Sequence, residues 1–279
     1  MRTIAAAAAG LGLRAEHAAR LADGPALPGI DFLEITVENW LEIGGRKRAQ
    51  LDRIAARYPL VAHGLSLSIG DPLPLNVDFL RRVKRFLDDY RIEVYSDHLS
   101  YARDEQGYLY DLLPVRRDAA AARLIAGKAR QAQDILRRPL VLENISYYHA
   151  YPDQMPEEEF IAAIVEQSGC ELLLDINNVY VNASNHGLDA QAFIRALPSA
   201  AIRYFHLAGH WRRDDDLVLD THGDAVCDGV IRLARDAVAR HGPRPFVLER
   251  DNHIPPLSEL RAEAEALRAA IHGRAALAA

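Results

Sequence analysis

The sequence predicts a single (β/α)8 TIM barrel, an α/β fold, and three observations predict it. Short apolar runs of strand length alternate with helix-length amphipathic stretches along the 279 residues, an order that calls for a parallel sheet with right-handed crossovers. Eight such units fit the length usual for one closed barrel. Most of the runs break off at His, Asp, Glu or Asn, the residue types expected where strand ends converge on one mouth. An open doubly wound sheet would place a glycine-rich phosphate loop after its first strand, and the sequence has none there.

Gly10 to Arg14 is a short first strand, followed by an alanine-rich helix from Glu16 to Leu21 that stops before Asp23-Gly24-Pro25. Asp31 to Val37 is the second strand; it carries Glu34 and leads to Glu38-Asn39-Trp40. Leu51, Ile54 and Ala55 give the run Arg46 to Tyr58 one apolar face, and Pro59 closes it. Leu60 to His63 is strand three, and Phe79, Val83, Phe86 and Leu87 are spaced for burial on a helix from Asp78 to Tyr90. Strand four, Glu93 to His98, enters a polar and aromatic loop from Tyr101 to Pro114, then a helix from about Asp118 to Leu136. Strand five, Pro139 to Asn144, precedes a Tyr147-Tyr148-His149 loop and a helix from Glu157 to Gln167. Strand six, Leu172-Leu173-Leu174, ends abruptly at Asp175 and leads to an asparagine-rich loop and a short helix near Ala190 to Ala196. Strand seven, Ile202 to Leu207, a long loop, a helix from Val226 to Arg240 and strand eight, Phe246 to Arg250, complete the set. The core then spans about residues 10–260 of one domain, with an alanine-rich helical tail from about Ala262.

Composition excludes several classes of function. A formal charge of −6 with scattered basic residues gives no electrostatic footprint for nucleic acid. Cys170 and Cys227 are the only cysteines, too few for a disulfide framework or a thiolate metal site, and a reducing, cytoplasmic setting follows. No apolar run approaches the ~18 residues of a membrane span. Met1-Arg2-Thr3-Ile4 with Ala5 to Ala9 has the outline of a signal peptide, but it runs directly into the residues needed for the first strand.

His63, His98, Glu143, Asp175, His206 and Glu249 each end a different strand, so one mouth collects them all. In the loop after strand seven, the one-residue spacing of Asp220 and His222 lets both reach the same side of an extended segment. Several acids buried together repel one another unless cations compensate, and the set exceeds what one metal needs. Two or three ions with carboxylates bridging neighbours ~3.5–4 Å apart would use it fully. Nitrogen and oxygen donors suit iron, manganese or zinc, and the residues alone do not choose among them. Asn178 is either a ligand or a group that orients one. Asp97 and Asp251 are candidates for proton transfer or for orienting their histidine and glutamate neighbours. Asn144, Asn177 and His210 are candidates for substrate contact; Glu34, Glu38 and Asn39 lie at the mouth, where they either face the site or cap loops. Tyr101, Tyr108, Tyr110, Tyr147 and Tyr148 either wall a peptide groove or cover the barrel end. Arg212-Arg213-Asp214-Asp215-Asp216 reads as a solvated loop tip.

Taken together, Phe32-Leu33-Glu34 with Glu38-Asn39, Ser96-Asp97-His98-Leu99, Leu142-Glu143-Asn144-Ile145-Ser146 and Leu174-Asp175-Ile176-Asn177-Asn178-Val179-Tyr180 resemble one family's pattern. Asn185-His186-Gly187, His206-Leu207-Ala208-Gly209-His210, Asp220-Thr221-His222-Gly223 and Glu249-Arg250-Asp251 extend it from Gly10 to about Leu260. The family is the multinuclear non-heme iron-dependent oxidative enzymes (MNIO), a bacterial domain long catalogued as of unknown function and similar to methanobactin-type peptide-modifying oxidases.

The resemblance implies a xylose-isomerase-like TIM barrel holding two or three iron ions, with O2 as co-substrate. It implies action on ribosomally made precursor peptides, typically at cysteine, giving oxazolone–thioamide, thiooxazole or carbon-excised products. It also implies iron ligation by His63, His98, Glu143, Asp175, Asn178, His206, Asp220, His222 and Glu249, and a separate partner protein that recognises the leader peptide. A mixed ferrous–ferric set is consistent with both lines of reading, and the oxidised cysteine would come from the substrate. Two other readings stand beside it: a divalent-metal isomerase or hydrolase acting on a sugar or phosphodiester, and a non-catalytic metal- or peptide-binding barrel.

Overall fold

The eight apolar runs pair side by side into a closed, all-parallel barrel in a computed structural model that describes residues 4–273. Its strands are β1 (Ala9–Gly12), β2 (Phe32–Thr36), β3 (Leu60–Gly64), β4 (Tyr95–His98), β5 (Leu140–Glu143), β6 (Glu171–Asp175), β7 (Ile202–Leu207) and β8 (Phe246–Leu248). Each lies parallel to the next, and β8 returns to β1. Met1 to Thr3 of the signal-peptide-like start, and positions 274–279 of the alanine-rich tail, lie outside the described residues.

Around the barrel run α1 (Ala15–Asp23), α2 (Gly45–Ala55), α3 (Val77–Tyr90), α4 (Ala119–Leu136), α5 (Glu157–Ser168), α6 (Ile176–His186), α7 (Ala190–Ala196), α8 (Asp228–His241) and α9 (Leu257–His272). The start of α3 illustrates the local logic: Asn76 accepts a bond from Phe79 N at 3.0 Å, and Phe79, Leu80, Val83, Phe86 and Leu87 are buried along one face. No described helix is long and apolar enough to cross a membrane.

Two expectations are corrected. The stretch 101–114 is not a plain loop but an antiparallel hairpin, Tyr101–Asp104 with Gly107–Leu113; Asp104 Oδ1 accepts from Gln106 N and Gly107 N across its turn. The asparagine-rich segment after β6 is helix α6. Asparagine is a weak helix former, but Asp175 caps the helix by accepting from Asn178 N at 2.7 Å. Asn182 bonds Tyr147 N and Ile145 O, and Asn178 bonds Asn144 O, so tertiary contacts override propensity. The alanine-rich tail finishes the last helix: α9 packs Leu260, Ala264, Leu267 and Ile271 inward and completes the ring of helices. Strand ends shift as well. β1 stops at Gly12, and Arg14, the residue before α1, turns its side chain to Glu249 and Asp251.

Strand alternation sets up the site. Ala8, Phe32, Val61, Val94, Val141, Leu173, Tyr204 and Val247 form a separate buried cluster inside the barrel near the strand starts. Residues of opposite phase, among them Leu33, Ala62, Leu142, Leu174, Phe205 and Leu248, join the larger core under the helices. Two residues beyond each member of the inner cluster come Gly10, Glu34, His63, Ser96, Glu143, Asp175, His206 and Glu249. The polar site is the next set of interior positions on the same strands.

Candidate metal centre

At the ends of β3, β4 and β5, His63 Nε2, His98 Nε2 and Glu143 Oε2 lie 3.3 Å from one another in all three pairings. Donors bound to one metal at roughly 2.0–2.1 Å stand about 3.0–3.4 Å apart in octahedral or tetrahedral arrangement. The triangle therefore has the dimensions of a ligand set. Ser96 Oγ sits 2.7 Å from His63 Nδ1 and occupies that nitrogen, leaving Nε2 for the site.

Glu143 reaches a second group with its other oxygen. Its Oε1 lies 3.3 Å from His206 Nδ1, which is also 3.0 Å from Glu249 Oε2 and 3.9 Å from Asp175 Oδ2. His206 Nε2 faces Glu34, at 2.9 Å to Oε1, so here Nδ1 is the nitrogen turned inward. Asp175 and Glu249 continue into a third group with His222, whose Nδ1 is 3.3 Å from Glu249 Oε2. Together with Glu34, His206 and Glu249, these make four contiguous donor groups: Glu143 is shared by the first two described, Asp175 by the second and third, and His206 and Glu249 tie in the group that contains Glu34. Such sharing is how carboxylates bridge neighbouring cations.

The electrostatics demand positive charge. Glu34, Glu143, Asp175 and Glu249 are all buried. Burial alone would raise Glu143, but the imidazoles of His98, His206 and His63 hold its pKa down at about 2. Burial and the nearby Glu143 and Asp220 push Asp175 well up, against the pull of His222 and His206. Burial would discharge His206 and His222, yet Glu34, Glu249 and Glu143 around the first, and Asp220, Asp251 and Glu249 around the second, raise both well above the usual imidazole value. The cluster draws protons onto His206 and His222, while burial keeps His63 below the usual imidazole value, and metal cations answer the same demand. Glu143 Oε2, Asp175 Oδ2 and Asn178 Oδ1 are buried without a hydrogen-bond partner among the described residues. These orphaned acceptors face a cluster of donors, so the residues present fit bound metal.

The remaining sequence-predicted residues are placed as follows. Asn178 turns its amide nitrogen to Asn144 O, which aims the oxygen inward. Asp220 stands 2.7 Å from His222 Nε2, and Asn177 Nδ2 and Ser146 Oγ both donate to it, at 2.7 and 2.8 Å. Asn177 Oδ1 meets His210 Nδ1 at 2.8 Å, and the half-buried His210 ring stacks on Tyr180. Both ends of the Asn144 amide bond the peptide of Asp175. Asp251 lies at the rim, paired with Arg14 and 3.1 Å from His222 Nδ1. Asp97 sits behind His98, accepting from Tyr95 OH, Leu67 N and His98 N; burial and then Glu38 raise its pKa to about 7.

Glu34, Ser96, Tyr204 and Arg14 were not assigned to the site from sequence, although all four touch it. Glu34, Ser96 and Tyr204 share the inward phase of their strands, a signal in the sequence that strand ends alone do not give. At the mouth, Tyr108, Tyr110, Tyr148 and Trp211 are exposed, whereas Tyr147 is buried and stacks on His186. The tip from Arg212 to Asp216 is exposed, as expected.

Solved structures share the fold at low identity. A xylose isomerase-like TIM barrel/4-hydroxyphenylpyruvate dioxygenase fusion protein matches with TM-score 0.62 and 14% identity over 97% of this chain and 44% of its own. Endonuclease IV from Thermus thermophilus matches with TM-score 0.57 and 17% identity over 95% of this chain and 99% of its own. Sequence relatives are far nearer. A UPF0276 protein of Shewanella amazonensis is 48% identical over 261 residues, 93% of each chain. A UPF0276 protein of Pseudomonas aeruginosa is 46% identical over 260 residues, 93% of this chain and 91% of that one. Residues 8–272 match the family described as RiPP precursor modification enzyme MbnB/TglH/ChrH, RiPP denoting a ribosomally synthesised and post-translationally modified peptide. The chain, a xylose-isomerase-like TIM barrel with contiguous groups of buried metal-type donors, belongs to that family of peptide-modifying enzymes.

Proposed function

We propose that this protein is a multinuclear non-heme iron enzyme that uses O2 to oxidise a cysteine of a ribosomally made precursor peptide, working in the cytoplasm as one catalytic domain. The observation that carries the reading is the Glu143 carboxylate, one oxygen in the His63–His98 triangle and the other beside His206. Family membership supports a precursor peptide as substrate. Donors that are all nitrogen and oxygen support iron over metals that favour sulfur.

In this reading His63, His98, Glu143, Asp175, Asn178, His206, Asp220, His222 and Glu249 hold two or three ions. Bound iron supplies O2 chemistry and acidifies a cysteine thiol. The chain's own groups do the rest. His210 orients the peptide at the mouth, its ring held by the fully buried Asn177 amide, and Asn144 sets the angle of Asp175 through its peptide group. Asp251 moves a proton at Oδ2, next to His222 Nδ1, and Asp97 holds one behind His98. A partner protein brings the leader peptide.

The test combines iron analysis of protein purified without oxygen with incubation of a cysteine-containing precursor peptide, with and without O2. The reading expects two or three irons per chain and an O2-dependent mass change confined to the cysteine. Stoichiometric zinc or manganese with no O2-dependent product would contradict it.

A further inference from the structure

Beneath the donor groups runs a chain of short contacts that joins the first group to the second. His63 Nδ1 lies 2.7 Å from Ser96 Oγ, and Ser96 Oγ lies 2.7 Å from Tyr204 OH. Tyr204 OH donates to Glu34 Oε2 at 2.7 Å, and His206 Nε2 closes the chain on Glu34, at 2.9 Å to Oε1 and 3.1 Å to Oε2. All five side chains are buried, so water does not compete for these bonds. The two imidazoles at the ends stand 5.3 Å apart between ring centres.

The chemistry of the groups fixes the direction of the chain. A carboxylate only accepts, so Glu34 takes the proton of Tyr204 and that of His206 Nε2. With its own proton directed to Glu34, Tyr204 accepts from Ser96, and Ser96 accepts from His63 Nδ1. Each imidazole is thereby protonated on the side of the chain and presents a lone pair to the donor groups, His63 through Nε2 and His206 through Nδ1. We propose that Glu34, Tyr204 and Ser96 are positioning residues: a buried relay, anchored on Glu34, that fixes the tautomers of His63 and His206 together and so couples two neighbouring metal positions. The relay accounts for the presence of a tyrosine hydroxyl in an interior layer that is otherwise aliphatic or Phe. It rests on the proposal that the cluster holds metal, and it assigns Glu34 to His206 rather than to an ion.

The test uses the full chain stripped of metal and then titrated with zinc(II), which is diamagnetic. Long-range proton–nitrogen NMR on histidine-labelled protein reads which ring nitrogen carries the proton. The expected wild-type result is Nδ1–H on His63 and Nε2–H on His206. Tyr204→Phe keeps the ring in the apolar layer and removes the hydroxyl. It should disturb both tautomers at once and weaken zinc binding by about 10–100-fold, the range for lost supporting bonds. Ser96→Ala should disturb His63 and weaken binding, and Ser96→Thr, which restores a hydroxyl, should recover it. Tyr58→Phe removes a buried hydroxyl that accepts from Leu27 N and bonds no member of the relay, and should change neither readout. Unchanged tautomers and affinity in Tyr204→Phe, or a folded Ser96→Thr no better than Ser96→Ala, would overturn the relay. Wild-type protein that takes up neither zinc nor iron would instead refute the metal reading, since the His63 tautomer remains readable in the metal-free chain, where burial keeps that ring neutral.

Discussion

Along each strand the barrel interior changes character within two residues. Near the strand starts it is built from Ala8, Phe32, Val61, Val94, Val141, Leu173, Tyr204 and Val247; at the next inward positions Glu34, His63, Ser96, Glu143, Asp175, His206 and Glu249 take over. Backbone and burial are the same in both regions, so the difference lies in the side chains. Packing of the first releases water and stabilises the fold without any ligand. The second gathers acids out of water, which is unfavourable until protons or metal ions balance them. One region holds the barrel together, and the other spends part of that stability on a site.

Four results would break or sharpen this contrast. The largest effect is expected from Phe32→Ala, a loss of about 3–5 kcal/mol in denaturant unfolding that is the same with and without metal. A loss that metal addition repairs would erase the distinction between the regions. Next, metal at 100 times its dissociation constant should stabilise the stripped protein by about 2.7 kcal/mol per site. Glu143→Gln should remove most of that gain, because one residue serves two groups; thermal shift measurements that find the gain intact would deny Glu143 its shared role.

A smaller effect concerns pH. Asp97 has its pKa raised to about 7 by burial and by Glu38, so between its ordinary value near 4 and about 7 the folded chain holds a proton that the unfolded chain has lost. Stability of the stripped protein therefore falls as pH rises through that window. His206 and His222 are raised too, and their contribution is lost from about pH 6.5, the ordinary imidazole value, upward through their folded values. Denaturation curves of Asp97→Asn should show a shallower decline between pH 4 and 7, and an unaltered slope would speak against a buried neutral carboxyl. Smallest of all, Tyr58→Phe should lower stability by about 1 kcal/mol and leave metal uptake unchanged.

Much of this was legible in the sequence because barrel strands end where chemistry begins. Apolar runs stopping at His63, His98, Glu143, Asp175 and His206 named both the fold and the core of the site. Glu34 stays open between a mouth residue and a loop cap in the sequence, since it lies mid-strand, between Leu33 and Ile35, where only the phase of alternation marks it as inward. Ser96 and Tyr204 escaped notice for the same reason. The asparagines of α6 read as a loop by propensity, since the bonds that hold them in a helix come from residues 144–147, some thirty positions away. Arg14 reaches Glu249 across 235 residues, a pairing that only barrel closure between β1 and β8 creates.

The most direct test of a multinuclear centre is anomalous diffraction at the iron edge from crystals grown without oxygen. The account predicts two or three iron peaks inside the barrel mouth, one of them within bonding distance of His63, His98 and Glu143, with Glu143 also touching the next. A single peak that Glu143 does not share, or peaks lying outside these residues, would contradict it.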